Sequence, residues 1–115
     1  MKDINGTLQY KDKTYKLVFN LNVMEVIQEE YGSLTEWGNK TDGSEGEVEA
    51  KAVIFGFWAM LNEGIDIDNE ENGTDLKPLT LKQVGRIITE VGLANATQKL
   101  NKTVVDSTES AEKNA

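Results

Sequence analysis

The chain contains neither cysteine nor histidine. Without cysteine there is no disulfide, no thiolate zinc site and no thiol nucleophile. Without histidine the commonest general base at neutral pH and the commonest metal ligand are both missing. A Ser-His-Asp or Cys-His device cannot be assembled from these residues. Long apolar segments are lacking too. The longest, Ala52-Val53-Ile54-Phe55-Gly56-Phe57-Trp58-Ala59-Met60-Leu61, is half of the roughly 20 residues that a membrane-spanning helix needs. The opening residues Met1-Lys2-Asp3-Ile4-Asn5-Gly6 hold no apolar stretch, so no secretory signal is expected. Glycine-rich phosphate loops of either common pattern do not occur.

Basic residues are in deficit: 12 Lys and Arg face 20 Asp and Glu, a formal charge of -8. Such a surplus favours solubility and repels phosphate backbones, so nucleic acid is a poor partner and a membrane is not expected either. The absence of thiols fits a reducing compartment or a protein that needs no staples, and a cytoplasmic protein is the expectation. At 115 residues, 38% of them hydrophobic, the chain has material for one domain with a modest core.

Periodicity predicts α+β architecture: an N-terminal β-hairpin over 4–20 packed on a small bundle of three to five helices. In Thr14-Tyr15-Lys16-Leu17-Val18-Phe19, the alternation places Tyr15, Leu17 and Phe19 on one face, matched by Leu8 and Tyr10. Lys11-Asp12-Lys13 is a connection of hairpin length. A helix over about 23–31 is expected to start at an Asn22 cap, turn Val23, Val26, Ile27 and Tyr31 inward and stop at Gly32. A second begins at the Ser33-Leu34-Thr35-Glu36 capping box and covers about 34–38. The main helix is expected over about 47–63, with Glu47 and Glu49 in its first turn and Gly64 as its stop. Its apolar middle argues for cover on most sides. Thr80-Leu81-Lys82-Gln83 caps a last clear helix over 81–91, with Leu81, Val84, Ile87, Ile88 and Val91 inward. One more short helix is possible over 93–100. The single domain is expected to end near residue 100, with 101–115 a disordered, flexible tail.

Candidate chemistry is sparse. Asp68, Glu70, Asn72 and Gly73 stand where a calcium loop places ligands 1, 3 and 5 and its glycine, but position 12 falls on Leu79, after Pro78. The closing bidentate carboxylate is absent, so a solvated acidic loop and no metal site is expected. Glu29-Glu30 and Glu70-Glu71 are adjacent pairs on a helix face and a loop, not facing carboxylates in a pocket. The aromatic group is the stronger feature. Phe55, Phe57 and Trp58, three aromatics within four residues, cannot all point at one small core; Trp37 joins them in the group, and Ile65 and Ile67 alternate with acids just beyond. Either all of these are core, or some form a partner-binding or self-association surface, since Trp, Phe and Met are favoured at interfaces.

The order of these pieces resembles the small tail assembly chaperones of long-tailed bacteriophages and prophages of Gram-positive bacteria. The matching segments are Lys13-Thr14-Tyr15-Lys16-Leu17-Val18-Phe19, Glu29-Glu30-Tyr31-Gly32-Ser33-Leu34, Ala59-Met60-Leu61-Asn62-Glu63-Gly64 and Leu79-Thr80-Leu81-Lys82-Gln83-Val84-Gly85. They lie in order across residues 7–92. The run 52–61 departs from the family, whose central helix often carries more charge. The resemblance implies a non-catalytic protein without a cofactor, working in the host bacterial cytoplasm. Its implied partners are the apolar, helical tape measure protein and the tail tube protein. A structural virion component, such as a tail tube or head-tail connector protein, is the alternative from the same context.

Overall fold

A computed structural model of the chain describes the backbone of residues 6–113 and the side chains of residues 6–107. Strands β1 (Gly6–Tyr10) and β2 (Lys13–Leu17) form the antiparallel hairpin, with Leu8 opposite Tyr15 and Gly6 opposite Leu17. The first two residues expected in it, 4 and 5, lie outside the described residues. Lys11, in the tight turn, has φ 56°, a left-handed backbone that side-chain-bearing residues seldom adopt. Leu8 and Leu17 turn inward and, with Phe19 just beyond β2, are buried.

Five helices follow: α1 (Leu21–Tyr31), α2 (Leu34–Thr41), α3 (Ala50–Asn72), α4 (Leu81–Val91) and α5 (Leu93–Lys113). The fold is the expected α+β arrangement of a hairpin on a helical bundle. Helix α3 is its axis. It packs against the hairpin and against each of the other four helices, and Val53, Phe57, Met60 and Leu61 from its centre are wholly buried. Each such side chain removed from water contributes about 1.5–3 kcal/mol.

Several boundaries differ from expectation for identifiable reasons. Helix α1 starts earlier than Asn22, because Asn20 Oδ1 accepts from the Val23 N–H at 3.1 Å and is the cap. Asn22 instead donates to Glu63 Oε2 at 3.0 Å. Helix α3 begins at Ala50, so Glu47 and Glu49 precede its first turn rather than occupying it.

The larger correction concerns Gly64, which does not end α3. The helix runs on to Asn72 and stops at Gly73, whose φ of 65° suits a C-terminal glycine. Gly64 is a packing position: a Cβ there would stand 2.9 Å from the Lys16 carbonyl oxygen. The hairpin can lie this close to α3 only because the side chain is absent. Gly56, two turns earlier, serves the same purpose for Trp37, whose Cζ2 would lie 2.5 Å from an added Cβ. Trp37 is further fixed by donating Nε1–H to the Ala52 carbonyl at 3.0 Å and by stacking on Phe19, with centroids 6.3 Å apart.

Helix α4 opens with the expected capping box, Thr80 accepting from the Gln83 N–H and Gln83 Oε1 accepting from the Thr80 N–H. Val84, Ile87 and Ile88 are buried, whereas Leu81, expected inward, is 48% exposed. The short helix expected over 93–100 is the start of a longer one. Leu93–Lys113 is continuous α5, and Leu100, Thr103 and Ser107 are buried along it. The ordered part of the chain thus passes residue 100. The end of the expected flexible tail, the side chains of 108–113 and all of 114–115, lies outside the described residues.

Candidate interaction surface

The six side chains expected to bind a partner are not brought together. Trp37 and Phe57 are interior, at 2% and 0% exposure. Ile65 is buried where α3 meets the hairpin and the segment 75–79, and Ile67 is half-buried. Phe55 and Trp58 are different. Both are half-buried on the outward side of α3, where the 3.6-residue period aligns Lys51, Phe55, Trp58, Asn62 and Asp66 in one stripe.

Helix α1 runs antiparallel beside that stripe. Its last residue, Tyr31, meets the Phe55 ring edge-on with centroids 5.6 Å apart, and Phe55 in turn meets Trp58 at 5.3 Å. Further along, Asn22, Val23 and Val26 of α1 and Trp58, Ala59, Asn62, Glu63 and Asp66 of α3 line an open groove of about 140 Å³. Glu63 is held at its edge by Asn20 Nδ2 at 2.7 Å and Asn22 Nδ2 at 3.0 Å, which locks α1 to α3 at that end. Leu21, the first residue of α1, is 79% exposed.

Burial is the leading cause that raises the Tyr31 phenol above its ordinary value of 10.0, with Glu30 and Glu49 adding to the shift. Its hydroxyl is buried without a hydrogen-bond partner.

Charge on α1 and the C-terminal part of α3 is one-sided. Residues 21–31 and 59–72 hold Glu25, Glu29, Glu30, Glu63, Asp66, Asp68, Glu70 and Glu71 and no Lys or Arg. These eight carboxylates equal the whole formal charge of -8, because the rest of the chain balances 12 acids against 12 bases. Lys16 Nζ bridges Asp68 at 2.7 Å. The acid-rich, base-free stretch from residue 65 to Lys77 is visible in the sequence, and so is the base-free segment 21–31; that the two lie side by side is visible only in the fold.

Other concavities lie among the described residues. Phe19, Leu34, Trp37, Val104 and Val105 line most of a groove of about 390 Å³ between α2 and α5. The hairpin, α3 and the segment 75–79 line one of mixed character, about 530 Å³, with the Lys16–Asp68 pair in its wall. The calcium-like spacing falls within α3 rather than on a loop. Helical geometry turns Glu70 to the opposite side from Asp68 and Asn72, so the three cannot converge on one ion. Among the described residues no three Asp or Glu side chains are grouped to hold a metal. No helix among them is long and apolar enough to cross a membrane.

Comparison of the chain with protein-family models, curated proteins and solved structures gave no match. What the fold and the surface define is therefore the class alone: an α+β protein with a half-exposed groove between α1 and α3 that has Trp58, Glu63 and Asp66 in its lining.

Proposed function

We propose that the chain is a non-catalytic tail assembly chaperone of a long-tailed bacteriophage or prophage, acting in the host cytoplasm. In this reading it binds tape measure protein and helps recruit tail tube subunits. The ordered motif resemblance across residues 7–92 supplies the family. The observation that carries the mode of action is the groove between α1 and α3, where Val26, Phe55 and Trp58 remain partly open to solvent. Side chains of this kind supply much of the energy at protein interfaces. The surrounding carboxylates keep the free protein and its complexes apart through mutual repulsion, a useful property in a chaperone for an apolar client.

Co-expression with tape measure protein tests the reading. The expected result is co-purification of the two proteins, together with absence of the chain from purified particles. Stoichiometric presence in finished particles would instead make it a structural virion component.

A further inference from the structure

We infer that the groove between α1 and α3 receives a cationic amphipathic helix. The inference deepens the proposed function and rests on its premise that the chain's ligand is a polypeptide. The groove is bounded by two antiparallel helices, and a third helix laid along such a seam packs its apolar ridge between them. The groove's floor is apolar, from Val23, Val26, Trp58 and Ala59, and the aromatic line continues through Phe55 to Tyr31. An apolar strip with i, i+3 and i+4 spacing matches that floor.

Charge identifies the occupant. On α1, Glu29 and Glu30 follow Val26 by three and four positions and share its side of the helix. On α3, Asp66 follows Asn62 by four positions along the Phe55–Trp58 stripe, and Glu63 stands at the groove's rim. Lys51, one turn before Phe55, is the base on the stripe. A helix with Lys or Arg flanking its apolar face therefore meets carboxylates along both walls. A second copy of the same face would bring like charges together, and a nucleic acid would do the same. The groove between α2 and α5 is also apolar, but Asp42 is the single charged residue in its lining, so it offers no comparable preference.

The test is an NMR titration of the full chain with three synthetic peptides of about 18 residues, long enough to be helical when bound. One is an amphipathic Leu/Lys helix. The second keeps the Leu face and replaces Lys by Glu. The third keeps the Lys residues and replaces Leu by Ser. The Leu/Lys peptide is expected to shift backbone signals of residues 21–31 and 54–66. The Ser/Lys peptide is expected to bind at least roughly tenfold more weakly and the Leu/Glu peptide not at all. The double variant Glu29→Lys with Asp66→Lys, both exposed, is expected to weaken Leu/Lys binding by about tenfold or more while leaving the melting temperature nearly unchanged.

Equal binding of the Leu/Glu peptide, unchanged affinity in the double variant, or shifts centred on Leu34, Val104 and Val105 would overturn the inference. If that variant also unfolds, Trp58→Ser alone replaces it, with the same expected weakening. Co-purification of the double variant with tape measure protein at wild-type yield would refute this groove as the site and leave the chaperone reading intact. Failure of the wild-type chain to co-purify would refute the chaperone reading itself.

Discussion

Asn62 holds the backbone of Leu79 from both sides: its Nδ2 donates to the Leu79 carbonyl at 3.0 Å and its Oδ1 accepts the Leu79 N–H at 2.7 Å. Asn69, two helical turns on, makes the equivalent pair with Leu76 and also accepts from the Thr74 hydroxyl. The connection 73–80 is therefore laced back along α3 by two amides, with Leu79 alone of its side chains packing on the core. Asn62→Ala removes both bonds at a part-buried position and is expected to cost about 1–3 kcal/mol. Asn69→Ala, at a more exposed one, should cost less than half as much. Urea unfolding of the two variants checks the order, and a reversed order would mean that the connection is anchored elsewhere.

Alanine at three glycines should separate packing from helix propensity. Gly56→Ala collides with the buried Trp37 ring, and Gly64→Ala collides with the Lys16 backbone, which cannot rotate away. Each is expected to destabilise by about 1–3 kcal/mol despite the better helix former. Gly38→Ala in α2 meets nothing within 4 Å and is expected to stabilise by about 0.5–1 kcal/mol. Thermal unfolding of the set reads out the signs.

Tyr31→Phe removes a buried hydroxyl that has no partner. Stability at neutral pH should stay level or rise slightly. The raised phenol value means the folded chain favours the neutral ring. Its linked stability is complete below the ordinary value of 10.0 and is lost as pH rises through the higher folded value. Denaturant midpoints measured across the alkaline range should therefore fall less steeply in Tyr31→Phe than in the parent chain.

Thr80→Ala dismantles the capping box that opens α4 and is expected to cost about 0.5–2 kcal/mol. Hydrogen exchange should show the loss as faster opening of the first turn of α4, with α1 unaffected.

The elements that sequence reading located well are those whose causes are local. The Thr80–Gln83 box and the spacing of Val84, Ile87 and Ile88 lie within one helix, and α4 was legible to the residue. Gly64 was misread because its reason lies on another element: whether a helical glycine stops a helix or admits a neighbour depends on the hairpin strand at Lys16. The aromatic group was ambiguous for a related cause. Phe57 and Trp58 are adjacent in sequence, and only the positions of α1, α2 and the hairpin decide that one is interior and the other faces a groove. Leu100 and Ser107 are buried in a polar-looking segment where the inward face of α5 is Ala96, Leu100, Thr103 and Ser107 while Val105 is exposed, a stripe too sparse in apolar residues to stand out among Lys, Thr, Asp and Ser.

Hydrogen exchange of the chain, free and bound to its tape measure protein, tests the central claim most directly. Slowed exchange is expected at amides of residues 21–31 and 54–66, with little change along 81–91. Protection confined to α2 and α5, or no protection on mixing the two proteins, would contradict it.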